Sequence, residues 1–211
     1  MVVIHSLSNK PLKIACFILS FVCVLACKAQ SPILPLKNPG EYQDNAYYKD
    51  MDNELDKYVG TWLYQNGTTS LTVQLIKKEQ IFNGEWYEDV LIGEYKYVEN
   101  GVEILNFLPR LSDINVNDEQ HYISFFSFVK KLYYPSCDEC LVSEQRVLMD
   151  FSNPAPDRKV LNNNMVLRHI IENGVHKLQM HLDAGGGAII LAENAPSETR
   201  VPYGSYTLIK Q

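Results

Sequence analysis

The chain predicts an all-β fold, an antiparallel meander closing into a barrel or a sandwich with one short helix before it. Three observations carry that expectation. Segments between turns alternate apolar and polar residues with period two. Four Asn-Gly pairs punctuate them, at Asn66-Gly67, Asn83-Gly84, Asn100-Gly101 and Asn173-Gly174. Thirteen Tyr and eight Phe supply aromatic side chains that suit a pleated surface.

Residues 50–58 (DMDNELDKY) predict the short helix, with Leu55 and Tyr58 at i, i+3. The pattern then changes to strands near 60–65, 69–77, 86–91, 93–98 and 101–106. Five more are expected near 121–130, 144–151, 165–172, 175–182 and 203–210. Leu71, Val73 and Leu75 point one way, with Thr72 and Gln74 opposite. Leu178, Met180 and Leu182 alternate with Lys177, Gln179 and His181. Such alternation means sheets with one buried face. Asn-Gly supplies the two positive φ values of a type I′ hairpin turn. Residues 107–120 and 152–164 read as longer loops. Gly185-Gly186-Gly187 lacks the Lys and Ser/Thr of a phosphate loop and reads as a turn before a strand at 188–191.

Ahead of this domain stands an export signal. Lys10 and Lys13 make a positive start without an acid, and 13 apolar or small residues run from Ile14 to Ala26. That length suits a signal peptide, and a membrane-spanning helix needs about 20 residues. The run ends Val24-Leu25-Ala26-Cys27, which resembles the lipobox of bacterial lipoproteins. There the thiol carries diacylglycerol and a small residue precedes the cut. Cleavage near Ala29-Gln30, with Cys27 discarded, is the alternative. The domain layout is then a signal peptide at 1–26, a Pro-rich flexible tether at 27–49 and a single domain at 50–211. Lipid at Cys27 would hold that domain to a membrane, since each buried CH₂ contributes about 0.8 kcal/mol.

Without residues 1–26 the chain keeps 17 basic against 25 acidic residues, a net charge of −8. Such a domain lacks the basic face that nucleic acid requires, so no nucleic-acid partner is expected. Only Cys137 and Cys140 remain beyond the anchor, as Cys-Asp-Glu-Cys. No βαβ pattern surrounds them, and no second ligand pair completes a zinc site. A local disulfide is the expected state in an oxidising compartment, with free thiols or a metal as alternatives.

Tyr58-Val59-Gly60-Thr61-Trp62 follows the short helix and opens the first long strand. It resembles the Gly-x-Trp opening of lipocalins and related calycin barrels. That resemblance implies that Gly60 and Trp62 close the barrel base, and that Tyr64, Tyr95 and Tyr97 line the barrel. It also implies an arginine over Trp62, for which Arg168 and Arg200 are candidates. No second or third lipocalin motif follows. Gly-Thr-Trp, Gly93-Glu94-Tyr95-Lys96-Tyr97 with the Glu99-Asn100-Gly101 turn, and Tyr206-Thr207-Leu208-Ile209-Lys210-Gln211 are together similar to an uncharacterised family of small bacterial exported, lipoprotein-like proteins. That resemblance implies export and a compact β domain, and carries no activity.

Catalytic signatures are missing from the sequence. No Gly-x-Ser-x-Gly elbow accompanies the many Ser, His and Asp residues. His176 and His181 sit an odd number apart on one strand and so face opposite ways. Glu85, Glu88 and Asp89 beside Trp86 come nearest to a carboxylate pair. No enzyme activity and no cofactor are expected. The sequence favours an exported protein of the bacterial cell envelope that is lipid-anchored, with secretion or a periplasmic location as the alternative. It would hold a small apolar or amphipathic ligand in a barrel. An envelope structural or protein-interaction module without a cavity is the second reading, and a hydrolase the third.

Overall fold

Period-two alternation is realised as strands that close on themselves. The structure is a computed structural model and describes residues 31–153, 161–185 and 200–211. The N-terminal signal, Cys27 and most of the Gly185-Gly186-Gly187 segment, with the strand expected at 188–191, lie outside the described residues. Residues 33–211 form one compact unit. Its strands are β1 (Ile33–Pro35), β2 (Tyr47–Lys49), β3 (Gly60–Asn66), β4 (Thr69–Phe82), β5 (Tyr87–Glu99), β6 (Val102–Asn106), β7 (Ile123–Val129), β8 (Arg146–Asn153), β9 (Leu161–Glu172), β10 (Val175–Asp183) and β11 (Gly204–Lys210).

Eight of these, β3, β4, β5 and β7 to β11, pair antiparallel in chain order. β11 returns to pair with β3, matching Ile209 with Leu63, and β5 pairs with β7 at Ile92 and Ser124. The result is a closed up-and-down barrel rather than a sandwich. β6 folds back on β5 outside that ring. One buried apolar cluster draws on all eight barrel strands, with Trp62, Val73, Tyr95, Ile123, Met149, Leu167, Leu178 and Leu208 among its members. Their side chains fill the interior between the strands.

Turn chemistry departs from expectation at two of four sites. Asn100-Gly101 and Asn173-Gly174 both have positive φ, as a type I′ turn demands. At the first site Asn66 pairs with Thr69, so the turn residues are Gly67 and Thr68. At Asn83 the side chain accepts the backbone N–H groups of Glu85 and Trp86, which makes an Asx turn instead.

The two strands expected around 86–98 are one strand. Gly93 does not break it, because it serves a close approach. A Cβ there would lie 2.5 Å from the Gln74 carbonyl oxygen and 2.6 Å from Leu75 Cδ2.

The helix expected at 50–58 forms only a 3-10 turn, Asp56–Tyr58. The Asp50 carboxylate accepts the N–H groups of Glu54 and Leu55 at 2.9 Å each. That local capture competes with helical bonding. The segment expected as a tether also differs in part, since β1 and β2 lie within it. β2 pairs parallel with β5 through Tyr47 and Tyr87. The Tyr47 hydroxyl donates to Asp89 Oδ1 at 2.5 Å, and the Asp50 N–H donates to Oδ2 at 2.9 Å. Lys77 Nζ then bridges Asp50 and Asp56 at 3.1 and 2.7 Å. A buried carboxylate with its donors satisfied thus clips the N-terminal arm to the barrel.

Candidate functional site

The residues implied by the Gly-x-Trp resemblance lie within the barrel core and its end. Gly60 has φ +132°, and a Cβ on it would meet Lys210 Cε at 3.0 Å. Trp62 is fully buried, and its indole N–H donates to the Tyr58 carbonyl at 2.7 Å. Tyr58 crosses that end of the barrel and donates through its hydroxyl to the Gln145 carbonyl at 3.4 Å. The cation over Trp62 is Lys210, with Nζ 5.3 Å from the ring centre. Arg168 lies instead on the outer wall, and Arg200 is exposed. Tyr64 packs edge-on against Tyr206, and Tyr95 tilts against Phe151 at 4.5 Å while donating to the Ser152 carbonyl. Tyr97 is buried in the same cluster. Trp62, Tyr95 and Tyr97 are buried in the core, Tyr64 packs half-buried against it, and Gly60 is half-buried at the start of β3.

The acidic cluster beside Trp86 does not converge. Asp89 spends both oxygens on the N-terminal arm and on the Gln80 N–H. Glu88 accepts from Asn83, and burial pushes its pKa up. Trp86 stacks on Tyr42 at 4.3 Å. His121 and His169 stay apart. His121 contacts Glu94 at 2.9 Å, with Arg110 at 3.3 Å from the same oxygen. His169 contacts His176 at 3.0 Å. No group of three or more metal-capable side chains occurs among the described residues.

A concave site does exist, on the outer wall. Inward Leu167, Met180 and Leu208 leave the alternate residues of β9, β10 and β11 facing out. Cross-strand register then aligns two rows, Arg168–Gln179–Thr207 and Val166–His181–Ser205. Above them runs the 130–145 loop, whose Pro135, Ser136 and Cys137 form the facing wall. The groove between holds about 460 Å³, within the range of small-molecule sites.

The loop is held over the groove by Arg146, the first residue of β8. Its Nη1 donates to the Pro135 carbonyl at 2.6 Å. Nη2 donates to the carbonyls of Lys130 at 2.9 Å and Tyr133 at 2.7 Å. Cys137 and Cys140 form a disulfide that closes the loop tip, and the Cys137 N–H donates to the Lys131 carbonyl. Arg146 is 3% exposed, yet it makes no ion pair among the described residues and its Nε has no partner. Burial and the neighbouring Arg168 guanidinium push its pKa down, opposed by Glu144.

Arg168 is paired. Its Nε and Nη2 meet the two oxygens of Glu144 at 2.7 and 3.3 Å, and Nη1 reaches Glu139 and Gln179 at 3.2 Å each. The Glu144 hydrogen bonds raise its pKa above the ordinary arginine value. In the second row, His181 Nδ1 lies 3.0 Å from Ser205 Oγ, and Nε2 lies 3.9 Å from Asp183. That last distance is too long for a hydrogen bond, so the three do not form a relay. The groove therefore presents polar and charged side chains to solvent, and among the described residues its geometry does not bring a nucleophile together with an oriented base.

Sequence reasoning missed Arg146, Arg168, Gln179 and Ser205 as one site. Their only signal was polar identity at the outward positions of consecutive strands, which any solvated face shares. No curated protein and no solved structure matches the chain. The model of a family of unknown function, DUF6705, matches residues 12–211, nearly the whole length on which the described barrel and its groove are built. The chain therefore belongs to the DUF6705 family.

Proposed function

We propose that this protein is an exported, lipid-anchored binding protein of the bacterial cell envelope whose barrel is a solid scaffold. Recognition takes place in the outer-wall groove. Support for export and anchoring is the Val24-Leu25-Ala26-Cys27 junction after a signal-length apolar run. The observation that carries the rest is the contrast between a filled interior and an external groove. Eight-stranded barrels either fill with side chains or hold one ligand. Fully buried Trp62, Phe151, Met149 and Met165 occupy the space that a small apolar ligand would need.

An apolar fluorophore, N-phenyl-1-naphthylamine, tests this reading. Titration into the full-length protein is expected to give no saturable enhancement that a fatty acid displaces. Saturable, displaceable binding would return the ligand to the barrel interior. Palmitate labelling tests the anchor in parallel. Label should enter the wild type, be absent from Cys27→Ser, and leave that variant soluble. A soluble, unlabelled wild type would refute the anchor.

One observation favours a protein partner as a second reading. The loop that roofs the groove exposes Leu132 at 87%, Leu141 at 71% and Val142 at 84%. Exposed apolar side chains gathered on one segment, such as adjacent Leu141 and Val142, mark interaction surfaces. Photo-crosslinkers placed at Leu141 would capture an envelope protein in intact cells on this reading, and only the monomer otherwise.

A further inference from the structure

We propose that the groove binds an organic carboxylate, which takes the place of Glu139 on Arg168. The inference rests on the groove being the recognition site.

Arg146 supplies the first argument. A buried guanidinium is ordinarily paired with an acid, because burying a charge without a counterion is costly. Here backbone carbonyls satisfy both terminal nitrogens, but among the described residues Nε has no acceptor and no acid pairs with the group. Burial lowers its pKa, and Arg168, another cation, acts on it electrostatically in the same direction, with Glu144 opposing. The outer wall therefore holds two guanidiniums, one of them without an ion-pair partner among the described residues.

Glu139 supplies the second. It sits on the Cys137–Cys140 turn at the groove mouth, and its carboxylate lies 3.2 Å from Arg168 Nη1. That carboxylate is 80% exposed, whereas the Arg168 side chain is 14% exposed. With its carboxylate this exposed, the Glu139 partner is screened by solvent and adds little stability. Glu144 is different, because it grips Arg168 through two bonds at lower exposure. The chain thus places one firmly held acid and one weakly held acid on the same guanidinium. The weakly held one occupies the position a ligand would take. A carboxylate fits the planar guanidinium edge, and the Thr207 hydroxyl in the same row and the Ser205 hydroxyl in the adjoining row can donate to its second oxygen or to the ligand body. Val166 borders the groove but is almost wholly buried.

The test uses the full-length protein labelled for detection of arginine Nε–Hε and backbone N–H signals. Succinate, inorganic phosphate and uncharged succinamide are titrated separately. Succinate is expected to shift the Arg168 signal saturably, and succinamide to leave it unmoved. Glu139→Gln removes the competing acid and should tighten succinate binding about threefold or more. Arg168→Gln should weaken it roughly tenfold or more. A merely structural Glu139 would not give tighter binding when neutralised, and this variant keeps the proposal falsifiable even where Arg168→Gln fails to fold.

Phosphate bound tenfold more tightly than succinate would overturn the carboxylate assignment. Saturable succinamide shifts at Gln179 and Thr207 that equal those of succinate would overturn the anion claim while leaving the groove as the binding site. Silence of every groove signal with all three probes would overturn both.

Discussion

Lys210 Nζ stands 5.3 Å from the centre of the Trp62 ring, and its stem passes over Gly60, where a Cβ would touch Cε at 3.0 Å. The last residues of β11 and the first of β3 thereby seal one end of the barrel together. The positive φ requires the glycine, and a Cβ there would also press on the lysine stem.

Gly60→Ala should cost about 2 kcal/mol, from backbone strain and the contact with Lys210. Lys210→Ala alone should cost about 0.5–1 kcal/mol, the usual worth of a cation over an aromatic ring. The double variant should be more stable than the sum of the two predicts, because removing the lysine stem relieves the contact while the strain remains. Urea unfolding of the four proteins measures this, and strict additivity would mean that the lysine stem does not crowd position 60.

Gly93→Ala should destabilise by about 3 kcal/mol or more, since its Cβ would meet the Gln74 carbonyl oxygen at 2.5 Å. Backbone of a central strand cannot yield as a flexible side chain can. The unfolding midpoint reports the loss. A neutral effect would mean that β4 and β5 can separate locally.

Glu94 is buried beside His121 and Arg110, and one of its oxygens has no partner. Burial raises its pKa, while His121 and Arg110 oppose the rise. A carboxyl whose folded pKa exceeds its unfolded value, about 4.3, takes up its proton in the native state first. Its contribution to stability therefore increases as pH falls from neutral through the raised value toward about 4.3, and levels off below. The stability difference between wild type and Glu94→Gln should move in the wild type's favour over that interval. Glu94→Ala should cost about 1–2 kcal/mol at neutral pH, because it leaves the buried His121 ring nitrogen without its partner. Chemical denaturation across pH measures both, and a flat difference would refute the raised pKa.

Arg146→Met should loosen the whole 130–145 loop and cost about 3 kcal/mol, since three strong carbonyl contacts are lost. Replacing Cys137 and Cys140 by Ser opens only a four-residue ring, worth about 2 kcal/mol by chain entropy. Amide exchange should accelerate across residues 130–145 in the arginine variant, and only around the turn in the serine variant. The reverse ranking would make the disulfide, rather than Arg146, the organiser of the groove wall.

Much of the barrel is legible in the sequence because burial on one face imposes alternation. Leu71, Val73 and Leu75 on β4, and Leu178, Met180 and Leu182 on β10, announce their strands and their inward faces. Asn100-Gly101 and Asn173-Gly174 announce their turns. Gly93 misleads because a glycine within a strand reads as a break when nothing shows the carbonyl it must approach. β1 and β2 are illegible because three-residue parallel strands carry no periodicity, and Pro35 argues against one of them. The groove is hidden for a different reason. Arg168, Gln179, His181 and Ser205 occupy the polar parity of an ordinary solvated wall. Only cross-strand register and the loop gathered by Arg146 turn that wall into a site. Lys210 over Trp62 is a contact between chain ends, which no local pattern encodes.

The central claim is that the barrel interior is solid and that recognition lies outside it. A crystal of the protein pressurised with xenon tests it directly, because xenon enters dry apolar cavities of ligand size. No xenon should enter the barrel. A well-occupied xenon site enclosed by Met149, Met165 and Leu178 would contradict it and make the interior a ligand chamber.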